Sequence, residues 1–174
     1  GTGDFTFNVS SETVANVGDQ VCVDVTVDNF TNVLAAQFSI DYDASSLEYV
    51  SVGNFGLSGL NENVMGLPGG GTNAGDITVA WTDPTLGGVT VSDGTVLFEI
   101  CFTTLSSGTS TVAVTGSPTA IQVIDSGSNI VSTVQNDGTV TVNGGGGGGG
   151  TGDFTFNVSS ETVANVGDQV CVDV

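Results

Sequence analysis

Nineteen carboxylates and three cysteines carry nearly all the reactive chemistry of this 174-residue sequence, which contains no Lys, Arg or His. A formal charge of -19 repels a polyanion. With no cation to displace counterions, binding to nucleic acid through phosphates is excluded, and anionic membrane surfaces with it. Without imidazole there is no Ser/His/Asp or Cys/His nucleophile pair, no histidine metal ligand and no histidine pH switch. Without an amine side chain there is no Schiff base, no internal salt bridge and no Lys–Asn isopeptide crosslink. What remains is oxygen-ligand chemistry and thiol chemistry. Asp41 and Asp43 flank Tyr42 at a strand end and offer hard oxygen ligands of the kind Ca²⁺ takes. No D-x-D-x-D-G-x5-E run accompanies them, and a solvated turn is the competing reading. Carboxylates alone could serve a glycosidase, but no pair falls in an aromatic-lined cleft, so the chain reads as a non-enzyme that requires no cofactor.

Other candidates have plain structural competitors. Asn8-Val-Ser, Asn29-Phe-Thr and Asn157-Val-Ser are glycosylation sequons, in a chain rich enough in Asn, Ser and Thr to produce them by chance. Trp81 could stack on a sugar, yet its phase with Ile77 and Val79 places it in a core. Gly69 to Gly71 lack the Lys and the following helix of a phosphate cradle, and read as a long loop at one end of the fold. Cys22 and Cys101 both fall out of phase with the apolar rows around them. They lie on the outer faces of their strands, either as thiols or as a bridge.

The elements that position these groups are strands. Hydrophobic residues make up 39 % and mean hydropathy is +0.27, too apolar for a disordered acidic tail. No run approaches the ~20 apolar residues of a membrane span. The chain opens at Gly1 with no charged and apolar leader, so a signal peptide is expected to be absent or removed. Alternation at period two places Phe5, Phe7 and Val9 on one face, then Val21, Val23, Val25 and Val27, then Leu34, Ala36, Phe38 and Ile40. Further rows are Ile77, Val79 and Trp81; Phe98, Ile100 and Phe102; Val112 with Val114; Ile121 with Val123; and Val140 with Val142. Turn pairs such as Gly18-Asp19, Asp93-Gly94, Ser107-Gly108 and Asp137-Gly138 separate them. About nine short strands and no helix predict an all-β, two-sheet sandwich.

The segments VGDQVCVDVTVDNF, FSIDYDASSLEYVSV, SDGTVLFEICF and NDGTVTV, across residues 8 to 143, resemble the cohesin domain, a nine-stranded jelly-roll sandwich of bacterial extracellular assemblies. Tyr42-Asp43 followed by Leu47-Glu48-Tyr49-Val50-Ser51-Val52 is the most specific part, with Ala44 where the family usually has Pro. The resemblance implies an extracellular or cell-surface module, one sheet face of which binds a calcium-loaded dockerin. It also implies that the strands bearing Cys22 and Cys101 are antiparallel neighbours. Facing residues there lie about 4.5–5.5 Å apart, within disulfide reach, so a Cys22–Cys101 bridge is expected.

Residues 150–174 repeat residues 1–25 without a difference, behind the seven glycines Gly144–Gly150. The reading is a cohesin-like repeat over 1–143, a polyglycine linker over 144–150, and the first strands of the next repeat over 151–174. Residues 2–150 hold 11 Asp and 4 Glu, so each repeat carries -15 and repels its neighbours. Phe154, Phe156, Val158, Val170 and Val172 need a sheet to pack on. Either they open the next domain, or they are donated to a neighbouring molecule and link copies head to tail along a fibre. In the second case Cys171, the copy of Cys22, would bond Cys101 of another copy. The expected function is a structural tandem repeat of an extracellular bacterial filament, stalk or giant adhesin. The alternative is a cohesin-type binding module that anchors dockerin-bearing partners.

Overall fold

Alternation of buried and half-buried residues runs through the computed structural model, which describes residues 3–144. The strands are β1 (Phe5–Val9), β2 (Glu12–Val14), β3 (Gln20–Asp28), β4 (Val33–Tyr42), β5 (Leu47–Gly53), β6 (Met65–Gly66) and β7 (Asp76–Thr82). After them come β8 (Thr95–Thr104), β9 (Gly108–Thr115), β10 (Gln122–Asp125), β11 (Ile130–Val131), β12 (Thr133–Asn136) and β13 (Gly138–Val142). The one helical turn among these residues is the 3-10 segment Glu62–Val64, whose Asn61 side chain accepts the Asn63 N–H. Helical periodicity is absent from the sequence, and the described residues contain no longer helix for it to build. No helix among the described residues is long and apolar enough to cross a membrane.

Two sheets pack face to face. One has the order β12-β1-β3-β8-β5; the other runs β11-β10-β4-β9-β13-β2, with β7 on the opposite edge of β4 and β6 beyond β7. Phe5, Phe7, Val23, Val25, Phe98, Ile100 and Phe102 project inward from the first sheet and Phe38, Ile40, Ile77, Val79, Val112 and Val140 from the second, all essentially inaccessible. Aromatic contacts bind the layers: Phe7 meets Phe38 at 4.6 Å between ring centroids, and Tyr42 meets Phe102 at 4.8 Å. Each such side chain contributes about 1.5–3 kcal/mol by leaving water.

The ends of the domain are joined in an unusual way. β1 pairs with β12 in parallel, Phe5 opposite Thr133 through Asn8 opposite Asn136. β2 pairs with β13 in parallel, Glu12 opposite Val140 through Val14 opposite Val142. Every one of these pairs is separated by 128 residues, as are the Asn136-to-Asn8 side-chain bond and the Thr139 N–H bond to Ser11 Oγ. The first and last strand pairs therefore form one parallel zipper that passes from one sheet to the other midway.

Three local readings change. Asp137-Gly138 is not a turn: the chain runs on there from β12 into β13. A Cβ at Gly138 would collide with the Ser10 carbonyl, so glycine is what lets the two chains cross this closely. At the start of β4, Val33 is buried and Leu34 only half-buried, because a register shift between Ile124 and Asp125 on β10 moves the phase by one residue. On β8, Leu97 is buried beside Phe98, since Val25 and Thr26 on β3 oppose Phe98 and Val96 and leave Leu97 as the bulged residue.

Candidate functional site

The outward side of β10, β4 and β7 is a ladder of cross-strand rows. Ile124, Ala35 and Thr82 form the first row, and Gln122, Gln37 and Ala80 the second. Ser39 faces Thr78 in the third, and Asp41 faces Asp76 in the fourth. Polarity thus rises along β4 from aliphatic through amide and hydroxyl to carboxylate, over about 20 Å at ~3.3 Å per residue. The two alanines leave a shallow hollow of about 110 Å³ around the first two rows, lined by Ala35, Gln37, Ala80, Thr82, Gln122 and Ile124. Gln37 is steadied by a 3.2 Å bond from its Nε2 to the Ala120 carbonyl. Ser39, fully buried, exchanges hydrogen bonds with the Thr119 backbone, accepting from its N–H and donating to its carbonyl. Gln37 in the hollow is therefore preorganised, and the far end of the ladder, outside the hollow, carries two like charges in register with no Lys, Arg or His of this chain to offset them. Such a face suits a protein partner that brings an apolar knob to one end and a basic residue to the other.

This face escapes a reading of the sequence because alanine at outward positions breaks no rule of alternation. The only trace is that Ala35 and Ala80 sit where outward strand residues are usually larger and polar.

The other candidates are distributed elsewhere. Cys22 and Cys101 face each other directly across β3 and β8 and are joined as a disulfide. With Glu99 they form the one group of three potential metal-ligand atoms close together among the described residues, but the two sulfurs are bonded to each other and offer no thiolate. Asp41 is exposed on the outer face described above, whereas the Asp43 carboxylate is engaged by the Ser45 N–H and hydroxyl and by the Ser46 hydroxyl, at 2.6–2.9 Å. Those bonds, the Ser45 hydroxyl foremost, hold the Asp43 carboxyl below the usual carboxylate range. The Asn8 amide donates to Asp28 and accepts from Asn136, and the Asn29 amide donates to the Asp4 carbonyl, so both sequon nitrogens already serve the fold. Trp81 is buried, its indole N–H bonded to the Ser58 carbonyl at 2.8 Å. The Gly69–Gly71 loop closes on the Leu67 carbonyl, which accepts from Gly70, Gly71 and Thr72. Nearby, Tyr42, Ala44, Leu47, Tyr49, Pro68 and Leu105 line a second, more apolar hollow of about 370 Å³. Cys171, Asn157, Phe154, Phe156, Val158, Val170 and Val172 lie outside the described residues.

Asp83-Pro84 reads in the sequence as a turn, and the structure adds that the Asp83 side chain is buried in it. Its buried carboxylate accepts from the Thr85 N–H and hydroxyl and from the Gly87 and Gly88 N–H groups at 2.8–3.0 Å, which depresses its pKa. Backbone dipoles of the Asp83–Gly88 turn thus do the work that a Lys or Arg would do in a chain that had one.

Comparison with known proteins agrees with this architecture. No curated protein matches the chain. Among solved structures, the cohesin CaCohA2 of Clostridium acetobutylicum is 24% identical, with a TM-score of 0.63 over 80% of this chain and 90% of that one. The sixth cohesin of Acetivibrio cellulolyticus scaffoldin B, solved in complex with a mutant Cel5 dockerin, is 21% identical with a TM-score of 0.63 over 80% and 99%. A non-cellulosomal cohesin of the archaeon Archaeoglobus fulgidus has the same identity and TM-score over 80% and 91%. Because the cohesin domain model matches residues 5–142, the whole of the two-sheet sandwich described above, the chain belongs to the cohesin family.

Proposed function

We propose that this chain is an extracellular or cell-surface binding module that receives a dockerin-like protein on the outer face of β10, β4 and β7. The observation that carries the reading is the polarity ladder with its hollow, uncharged at Ala35 and Ala80 and doubly acidic at Asp41 and Asp76. A helix of about 13 residues, at ~1.5 Å rise each, spans its 20 Å and can set a small apolar side chain in the hollow and a Lys or Arg at the acidic end. Family membership supports the same reading, since cohesins are protein-binding modules and the A. cellulolyticus relative was solved with a dockerin. No catalytic group and no cofactor of the chain's own is needed; Ca²⁺ enters with the partner, and only diffusely between acidic units otherwise. The test is titration calorimetry against the calcium-loaded dockerins that the C. acetobutylicum and A. cellulolyticus cohesins bind, followed by hydrogen-exchange footprinting of the complex. Protection over residues 35–41, 76–82 and 122–124 is expected. Protection confined to another face sinks the assignment.

A second reading is favoured by a different observation, the identical copy of residues 1–25 behind the glycine linker. On this reading 1–143 is a repeat unit, 144–150 a spacer and 151–174 the opening of a further copy, in an extracellular filament, stalk or adhesin whose copies run head to tail. Electron microscopy of purified material separates the two: fibres support the assembly reading, and monodisperse particles that capture a dockerin support the first alone.

A further inference from the structure

On the outer face of the five-stranded sheet, Cys22 faces Cys101 and, one outward row along, Asp24 faces Glu99. Two sulfurs and two carboxylates thus take the corners of one cross-strand square, all four residues half-buried. The Glu99 carboxylate approaches the Cys101 sulfur at 3.7 Å. Cys101 is bonded to Cys22 and carries no S–H, so this approach is not a hydrogen bond. The opposite corner is incomplete as well: one oxygen of Asp24 is buried without a hydrogen-bond partner. No Lys, Arg or His exists in the chain to answer these acids. On the β5 side, Gly53 lies opposite Glu99 with open space where a side chain would be, so nothing there holds Glu99 away from the sulfurs.

One ion would satisfy these groups together. Tetrahedral Zn²⁺, with Zn–S at ~2.3 Å and Zn–O at ~2.1 Å, sets a sulfur and an oxygen ligand about 3.6 Å apart. The observed 3.7 Å matches that spacing. Two thiolates on the same ion lie about 3.8 Å apart, which facing residues with Cα atoms 4.0 Å apart reach by side-chain rotation once the S–S bond is cut. We propose that Cys22, Cys101 and Glu99 form a thiol-gated site for a thiophilic divalent cation such as Zn²⁺, closed by the bridge and opened by its reduction. A small-molecule thiol supplies the electron pair: two RSH reduce the Cys22–Cys101 bond to two thiols and leave as RSSR. The cation then displaces both thiol protons to solvent and binds two thiolates and the Glu99 carboxylate, with Asp24 across the strand pair or water in the fourth position. Thiolate ligands select Zn²⁺ or Cd²⁺ over Ca²⁺. Because the ion ties β3 to β8 where the bridge did, the sheet keeps a cross-strand link in both redox states. The site lies on the sheet opposite β10, β4 and β7 and does not depend on the docking assignment.

The test uses the full chain with Cys171→Ser, so that Cys22 and Cys101 are its only cysteines. The chain is reduced with a phosphine and titrated anaerobically with Cd²⁺, while the ultraviolet thiolate-to-metal charge-transfer band is followed. The band should appear only after reduction and saturate at one ion per chain. Glu99→Gln keeps both thiols and should weaken Cd²⁺ binding about tenfold or more. Zn²⁺ should raise the urea midpoint of the reduced chain and leave that of the oxidised chain unchanged. If reduction alone unfolds the chain, Zn²⁺ should restore its β-sheet circular dichroism, since only the folded strand pair sets Glu99 beside both sulfurs. The proposal is overturned by a band in the oxidised chain, by the lack of saturation at one ion, by a Glu99→Gln affinity equal to the parent's, or by binding that leaves the reduced chain no more stable. Dockerin titration of the oxidised chain reads the docking assignment separately.

Discussion

The outward faces of the two sheets follow the same alternation and use it in opposite ways. On the five-stranded sheet, outward residues tie strand to strand. Asn136 donates to Asn8, Asn8 to Asp28, and Asp28 accepts the Gly94 N–H, while Cys22 and Cys101 bond covalently. On the eight-stranded sheet, Ala35 and Ala80 interrupt the outward rows of β10, β4 and β7 and leave a hollow instead of a lattice. Both faces place two acids in register, Asp24 opposite Glu99 on one and Asp41 opposite Asp76 on the other. The first pair is half-buried, and one oxygen of Asp24 is buried with no hydrogen-bond partner; of the second pair Asp41 is exposed. Strand pairing thus leaves each outer face free to hold the fold or to meet another molecule, and side-chain size and polar connectivity decide which.

The largest effect that would break this division is loss of the bridge. Replacing both cysteines, Cys22→Ser with Cys101→Ser, should cost about 4 kcal/mol for a loop of this length, measured by urea unfolding, and leave dockerin affinity within twofold. Ala80→Arg should do the reverse. An exposed alanine on the hollow's rim becomes a bulky cation, so affinity falls about 100-fold, or ~2.7 kcal/mol, with the urea midpoint unchanged. If the cysteine pair governs binding or Ala80 governs stability, the two faces are not divided as described.

A smaller effect concerns pH and touches neither face. Turn donors lower the carboxyl pKa values of Asp43, Asp83 and Asp125, with Ser45, Thr85 and Asn129 respectively as the leading causes. Depressed native values mean that this stabilisation is complete above the unfolded carboxylate pKa of ~3.9 and is lost as pH falls through the lower folded values. Asp83→Asn should therefore lower the melting temperature at pH 7, and the gap from the parent should close as the pH falls below the unfolded carboxylate value and through the lower folded one. A gap that persists in acid would mean that the Asp83–Gly88 turn is held by shape rather than by charge.

The legible portion of this molecule is its local structure. Inward rows such as Val21, Val23, Val25 and Val27 follow from alternation alone, and every member is buried. Where a bulge intervenes, as at Val33 and Leu34 or at Leu97, alternation misassigns the face, because a bulge is a property of how two strands pair and one strand's pattern does not show it. The zipper is invisible in the sequence for a stronger reason. Its pairs are 128 residues apart, and Asp137-Gly138 looks like a turn until the Ser10 carbonyl is seen to need the space a side chain would fill. At Asp83-Pro84 the turn is legible, but the burial of the Asp83 carboxylate and its four donors are not, because they depend on the path of the chain through Gly88.

The smallest prediction is the sharpest test of the comparison, because it applies one chemical change to both faces. Glu99→Gln removes the charge facing Asp24 and offers an amide donor near an oxygen that has none, so it should stabilise the fold by about 0.2–1 kcal/mol, the range for a cross-strand pair. Asp76→Asn relieves the other like-charged pair, where solvent at exposed Asp41 already screens the repulsion, and the gain should be smaller still. Its consequence belongs instead to binding, since a basic partner loses one of the two charges it came for. Paired urea titrations and calorimetry on the two variants should show a stability change without an affinity change for Glu99→Gln, and the opposite for Asp76→Asn. Equal behaviour of the two would mean that the acidic end of the ladder is only another solvated surface, and the docking assignment would then rest on the hollow alone.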